Sequence, residues 1–319
     1  MVEVRDSFGR TFKTLRVSLI NTCNLGCVYC TYGNEELKEN YRSAKENSLS
    51  AAALSQLISQ LHHTLNLDTI RFTGGEPLLY KELPELVRLV SSFGVQNLKL
   101  TTNGLLLEGL APRLKDAGIN SINVSLDAID EDVFFRMSRR SGINRIFAGI
   151  DAAQKAGIDV KINSVMMKGL NDSQILPLVN YAFSKGLTIR FLEIMAMGHL
   201  YGNADSRFLS QEEILSAIAK QYEFERLPRK SSSTANYWMT SEGNKFGVVA
   251  NESEPFCSDC NRLRLDSYGN IYGCLSSNHP ISIKETSGDE LISRLSEALK
   301  QKQALRFAGS ELSMMHIGG

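Results

Sequence analysis

Three cysteines, Cys23, Cys27 and Cys30, stand within eight positions of the stretch "NTCNLGCVYC" (21–30). Three more, Cys257, Cys260 and Cys274, stand in "FCSDCNRLRLDSYGNIYGC" (256–274), and these six are all the cysteines of the 319-residue chain. Each set offers three soft thiolates, which suit zinc or iron–sulfur chemistry. A structural zinc site wants four ligands. A four-iron cluster is also usually held by four thiolates, so three leave one iron open to bind a small molecule directly. Other readings stay open on spacing alone. The first set could hold zinc or act as a redox dithiol, although Cys-x3-Cys-x2-Cys is not a usual zinc spacing. The second could be a Cys3His zinc site with His279 as fourth ligand.

Apolar residues make up 43% of the chain, enough for a sizeable core. Lys+Arg and Asp+Glu are each 35, so the net charge is zero; a general nucleic-acid binder is usually visibly basic. No run of about 18 apolar residues is present, so no membrane span is expected. "MVEVRDSFGRTFKTLR" carries both signs of charge and no apolar stretch, so it is not expected to be a secretory signal. The expected compartment is the cytoplasm, where clustered cysteines mean metal or catalysis more often than disulfides.

These cysteines must be positioned by the elements around them. The first two hundred residues repeat a short apolar strand and an amphipathic helix. Strands are expected at 14–20, 69–72, 97–102, 121–127, 160–167 and 188–195, and helices at 51–65, 83–93, 107–118, 145–157 and 175–186. Six strands alternating with helices imply an α/β fold with a parallel sheet and right-handed crossovers. Six units fall short of the eight of a closed barrel, so a curved, partly open TIM-like barrel is expected over 1–205. Sites in such folds lie at the C-terminal strand ends. The first cysteines, "TGGEP" (73–77), "TTNG" (101–104), "SLD" (125–127) and "EIM" (193–195) all follow or end strands, and so gather at one rim. Over 206–319 a helix (210–222), a polar stretch with irregular strands, the second cysteines and a final helix over "DELISRLSEALKQKQALRF" are expected.

"CNLGCVYC", with Tyr29 before the third cysteine, resembles the radical S-adenosylmethionine (SAM) signature, and "TGGEP" resembles the glycine-rich SAM-binding strand end of that superfamily. The C-terminal "CSDCNRLRL…C" and the terminal "GG" are similar to the GTP 3′,8-cyclases of molybdenum cofactor biosynthesis. The resemblance implies a partial (βα)6 barrel with a C-terminal extension carrying a second cluster. It implies two 4Fe–4S clusters, SAM, and conversion of GTP to 3′,8-cyclo-7,8-dihydro-GTP. It further implies a flavodoxin- or ferredoxin-like reductant, a cyclic pyranopterin synthase that receives the product, no nucleic-acid or membrane partner, and a monomer or homodimer.

By the same resemblance, Cys23, Cys27 and Cys30 hold the SAM cluster, and Tyr29, Gly75, Ser125 and Met195 touch SAM. Gly75 would let backbone approach the ligand closely. Cys257, Cys260 and Cys274 hold the second cluster. Arg16, Arg71, Thr102, Lys161, Arg262 and Arg264 match GTP contacts, and Gly318 and Gly319 form a tail that reaches the site. The charges agree with this. A triphosphate is highly anionic, the chain has no Gly-x4-Gly-Lys-Ser/Thr loop, and arginines donate bidentately to phosphate. Arg262 and Arg264 alternate along a strand-like segment and so point the same way.

The chain departs from the family pattern in four places. Gly26 replaces a usual basic residue, Thr31-Tyr32 replace Met-Pro or Leu-Pro, and Asp266 stands where some members carry a further arginine. Two competing readings are another radical SAM enzyme with an auxiliary cluster, acting on a peptide or different nucleotide, and a non-catalytic zinc or iron module. The second leaves "TGGEP" and Tyr29 without use. Met195 and Trp238 also suit packing, His62, His63 and His199 suit surface positions, and Glu76 suits the setting of the SAM loop rather than a general base.

Overall fold

The computed structural model describes residues 4–31 and 48–318. Six strands, β1 (Thr14–Ser18), β2 (Thr69–Thr73), β3 (Asn97–Thr102), β4 (Ser121–Ser125), β5 (Asp159–Met166) and β6 (Thr188–Glu193), pair in sequence order, all parallel. Between them run α1 (Ala51–Leu65), α2 (Leu83–Ser91), α3 (Leu107–Ala117), α4 (Glu131–Ser138), α5 (Ile143–Lys155) and α6 (Ile175–Ser184). The strands carry an apolar face of Leu15, Val17, Ile70, Phe72, Leu98, Leu100, Ile122, Val124, Ile162, Ile189 and Phe191, all buried. The same period-2 alternation places Arg16, Arg71, Lys99, Asn123, Lys161 and Arg190 on the opposite face. Parallel strands buried on both faces normally read as continuous apolar runs; here one face is polar because it lines a site.

The region after 205 does more than append a unit. It supplies α7 (Gln211–Ile218), β7 (Phe224–Arg226), β8 (Asn236–Thr240), β9 (Lys245–Val249), β10 (Arg262–Leu265), β11 (Asn270–Tyr272), β12 (Ile281–Ser282), α8 (Gly288–Leu299) and α9 (Met314–Ile317). β9 pairs parallel with β6 and β10 pairs parallel with β1, so both edges of the six-stranded core are extended. Among the described residues the sheet order is β12-β11-β10-β1-β2-β3-β4-β5-β6-β9-β8-β7. The irregular strands expected there are regular ladders. The final helix stops at Leu299, not at 307, and α4 was not anticipated.

The sheet is curled. In a flat sheet β1 and β6 would stand five spacings, roughly 24 Å, apart. Yet Arg190 on β6 acts electrostatically on both Arg16 and Arg71, which requires the polar face to be concave. None of the described helices is long and apolar enough to cross a membrane.

Candidate active site

The first cysteines follow β1 in a loop that docks on the end of α4. The Gly26 and Val28 amides donate to the Ser138 and Met137 carbonyls, each at 2.9 Å. Arg139, in the left-handed conformation at the helix C-terminus, donates through one guanidinium nitrogen to the Gly26 carbonyl (2.8 Å), the Thr31 carbonyl (3.0 Å) and the Thr31 hydroxyl (3.1 Å). The cation missing at position 26 is thus delivered from α4, and Thr31 supplies two of its acceptors. Tyr32 lies outside the described residues.

None of the six cysteines is in a disulfide, and all are half-buried. Cys23, Cys30 and Asp127 each act on Cys27. Burial, then Glu76, lifts the Cys23 thiol to about 12, and burial lifts Cys27 well above its ordinary value. Bare thiolates are disfavoured there, as fits ligands whose charge a metal takes up on binding. Cys23 Sγ also accepts from the Leu25 amide at 3.4 Å and Asn103 Nδ2 at 3.8 Å, the outer donors that orient a ligand. Among the described residues no three His, Cys, Asp or Glu side chains are set to hold a single metal ion.

Glycines at the end of β2 let two backbones cross. A Cβ on Gly75 would lie 2.1 Å from the Thr22 carbonyl oxygen, and one on Gly74 2.5 Å from that of Ile20. Glycine at 75 is therefore required by the crossing with the loop that carries the first cysteines. The next residue, Glu76, is buried and ties two strand ends together. Its carboxylate accepts from the Thr102 hydroxyl (2.6 Å) and the amides of Leu78 (3.0 Å) and Asn103 (2.8 Å), while burial raises its pKa to about 7. Glu76→Gln would set an amide N–H₂ against a donor at one of these positions. We expect a loss of about 1–3 kcal/mol in unfolding free energy by denaturant titration; an unchanged midpoint would exclude this tie.

The Tyr29 hydroxyl donates to Asp127 at 2.7 Å, and Asp127 also accepts from the Val165 amide at 2.8 Å. Burial raises Asp127 to about 6. Ser125 sits on the polar face in register with Asn163. Met195 packs beside a small apolar cluster of Met197, Tyr272, Phe307 and Ile317, so in this structure its contacts are those of packing.

The cations converge. Arg264, Arg16, Arg71 and Lys99 are consecutive register partners on β10, β1, β2 and β3. Arg16 is held well below its usual pKa by burial and then by Arg264, Arg71, Arg262 and Arg190, all cations. Arg71 falls to about 9 through burial, Arg190 and Arg262. Arg71 donates to the Leu100 carbonyl and the Thr101 hydroxyl, and Arg190 to Asn163 Oδ1. These are neutral partners, so the guanidinium charge is left for an anion. Lys161 lies on the same face but pairs with Asp159 at 3.5 Å. Thr102 does not join this face. Its hydroxyl is turned to Glu76, and the threonine beside the arginines is Thr101. Arg190 is the site residue that sequence reasoning missed, although "TIRF" occurs at both 69–72 and 188–191 and so places Arg190 as it places Arg71.

The second cysteines lie beside the same arginines, Cys260 Sγ standing 3.4 Å from the Arg262 guanidinium. Cys274 and Cys260 act on buried Arg264, whose pKa burial lowers to about 10. Cys274 and Cys260 also act on Cys257, which burial lifts to about 11. Burial would raise Cys260 too, but Lys302 and Arg262 overcome it and hold the thiol down to about 7. Arg264 donates to the carbonyls of Ile317 and Gly318, which brings the tail to the arginines; Gly319 lies outside the described residues. Asp266 accepts from the Tyr268 and Asn270 amides, Asn270 Nδ2 and the Tyr272 hydroxyl. At this position the chain closes the β10–β11 turn instead of adding a cation.

Residues 17–182 match the Radical SAM superfamily and residues 187–308 match Molybdenum Cofactor Synthesis C. A GTP 3′,8-cyclase of Nautilia profundicola is 36% identical over 297 residues, covering 93% of this chain and 91% of that protein. A GTP 3′,8-cyclase of Synechocystis sp. is 34% identical over 314 residues, covering 98% and 94%. The chain belongs to the GTP 3′,8-cyclase family. The fold of this cyclase is also that of Streptococcus suis SuiB bound to S-adenosylmethionine, with a TM-score of 0.66 at 15% identity, covering 91% of this chain and 68% of that one. Family membership brings SAM and an iron–sulfur cluster; the three-thiol donor set of Cys23, Cys27 and Cys30 fits a cluster with one open iron.

Proposed function

We propose that this chain cyclises GTP to 3′,8-cyclo-7,8-dihydro-GTP, the first step of molybdopterin biosynthesis. The observation that carries the reading is the set of arginines on one face of the sheet, Arg264, Arg16 and Arg71 being register partners, with Cys260 Sγ 3.4 Å from Arg262. Like charges buried together cost stability, and a bound triphosphate offsets that cost. Arg16, Arg71, Arg190, Arg262 and Arg264 hold the phosphates, and Lys161 and Thr101 border them. Cys23, Cys27 and Cys30 hold one 4Fe–4S cluster, beside Tyr29, Gly75 and Ser125, which border SAM. Cys257, Cys260 and Cys274 hold a second, facing the guanine. When bound, the first cluster and SAM would supply the radical chemistry that removes hydrogen from the ribose, and the electron and proton that complete the dihydro product would come from the reductant and solvent. The protein's task is to fix C3′ and C8 relative to these groups and keep water out.

We read 1–205 as the barrel and 206–319 as the cluster and substrate region. A flavodoxin- or ferredoxin-like donor supplies the electron, and a cyclic pyranopterin synthase takes the product.

The test is anaerobic. Reconstituted protein with SAM and a strong reductant is followed, with and without GTP, for 5′-deoxyadenosine and a cyclised product by mass. We expect about eight irons per chain and both products only with GTP. Deoxyadenosine without any change in GTP would move the substrate elsewhere; zinc in place of iron would end the radical reading.

A further inference from the structure

Lys302 follows α8 and is almost wholly buried, 7% exposed. Its Nζ lies 3.5 Å from Cys260 Sγ and 2.5 Å from the Arg262 carbonyl oxygen, and 4.8 Å from the centroid of the Phe12 ring. None of these partners is a carboxylate. A buried ammonium with no carboxylate beside it is costly, and an apolar residue of similar volume is often neutral or better in such a place. The position makes sense when the sulfurs are thiolates, as cluster ligands are.

The two cysteine sets also differ in what donates to their sulfurs. Cys260 Sγ faces two cations, Lys302 and Arg262, the latter at 3.4 Å. Cys23 Sγ accepts from two neutral groups, the Leu25 amide and Asn103 Nδ2, and the charge acting on it is the Glu76 carboxylate. Cluster potentials follow net charge and hydrogen bonds to sulfur. A fixed cation on a thiolate stabilises the form that carries the added electron.

We propose that Lys302 is a positioning residue that raises the reduction potential of the second cluster through Cys260. The proposal rests on the two-cluster reading above. The step it governs is the uptake of one electron by that cluster from a reductant such as dithionite, with no bond made or broken.

The test compares wild-type, Lys302→Met and Lys302→Arg holoenzymes by redox titration followed by electron paramagnetic resonance. Excess SAM marks the first cluster's signal, so the second is read separately. In Lys302→Met the second cluster's one-electron reduction constant is expected to fall at least tenfold, ~59 mV in midpoint. The first cluster's midpoint should stay, and Lys302→Arg should return most of the shift. If Lys302→Met fails to hold eight irons, Lys302→Gln, which keeps an N–H toward Sγ without the charge, is titrated in its place. Eight irons with an unmoved midpoint in the uncharged variant overturns the role of Lys302. A wild-type protein that binds only about four irons overturns the two-cluster reading, and this proposal with it.

Discussion

Arg264→Ala is expected to lower kcat/KM for GTP on the order of a thousandfold while SAM binding stays within about twofold of wild type. Truncating one partner of a buried, hydrogen-bonded charge pair costs about 2–5 kcal/mol, and each 1.4 kcal/mol is about tenfold. Arg264 stands at the upper end of that range because it has two tasks. It belongs to the charge set around Arg16, and it donates to the Gly318 carbonyl. Arg262→Ala should also lose turnover, since Arg262 presses on Arg16 and Arg71 from the same strand. The fold should survive both changes, because removing one of several crowded cations relieves repulsion in the ligand-free protein. Product formation by mass and SAM binding by calorimetry decide the matter. Near-normal turnover would mean that the arginines do not hold the substrate.

Removing Gly318 and Gly319 is expected to reduce cyclisation at least a hundredfold without unfolding the protein. The anchor of the tail lies before the glycines. Ile317 is buried with Met197, Tyr272 and Phe307, so a chain ending at Ile317 keeps its apolar seat. The truncation removes the Gly318 carbonyl that accepts from Arg264. Gly318 has φ +80, and a Cβ there would lie 2.8 Å from Thr73 Cγ2 and 3.1 Å from Ser18 Cβ. Only glycine fits a left-handed residue pressed between the ends of β1 and β2. Those strand ends lead into the loop of the first cysteines and into "TGGEP", so the tail packs against the start of both stretches. Turnover of GTP with and without the two residues, beside matched thermal unfolding curves, separates the cases. A fully active truncation would make the tail an ordinary terminus.

The sequence by itself determined the parts whose signals are local. Cysteine spacing marked both sets of three, because each is confined to a short stretch of chain, 23–30 and 257–274. The six βα units were legible through their 2- and 3.6-residue apolar periods, and the six core strands lie within a few residues of where those periods put them. What tertiary structure decided depends on register and on distant pairing. Thr101 and Thr102 are adjacent and identical, and only the pleat of β3 tells which faces the arginines, since a one-residue shift exchanges the faces. Arg139 caps the cluster loop from more than a hundred residues away, and Lys302 reaches Cys260 from beyond a helix. Neither has a motif, because one long side chain meeting a sulfur or a carbonyl leaves no spacing to read. Nor could periodicity show that β9 and β10 pair with β6 and β1. Edge pairing is settled by which unpaired backbone groups of a curled sheet are open to be matched, and that pairing sets the "RLR" arginines beside Arg16.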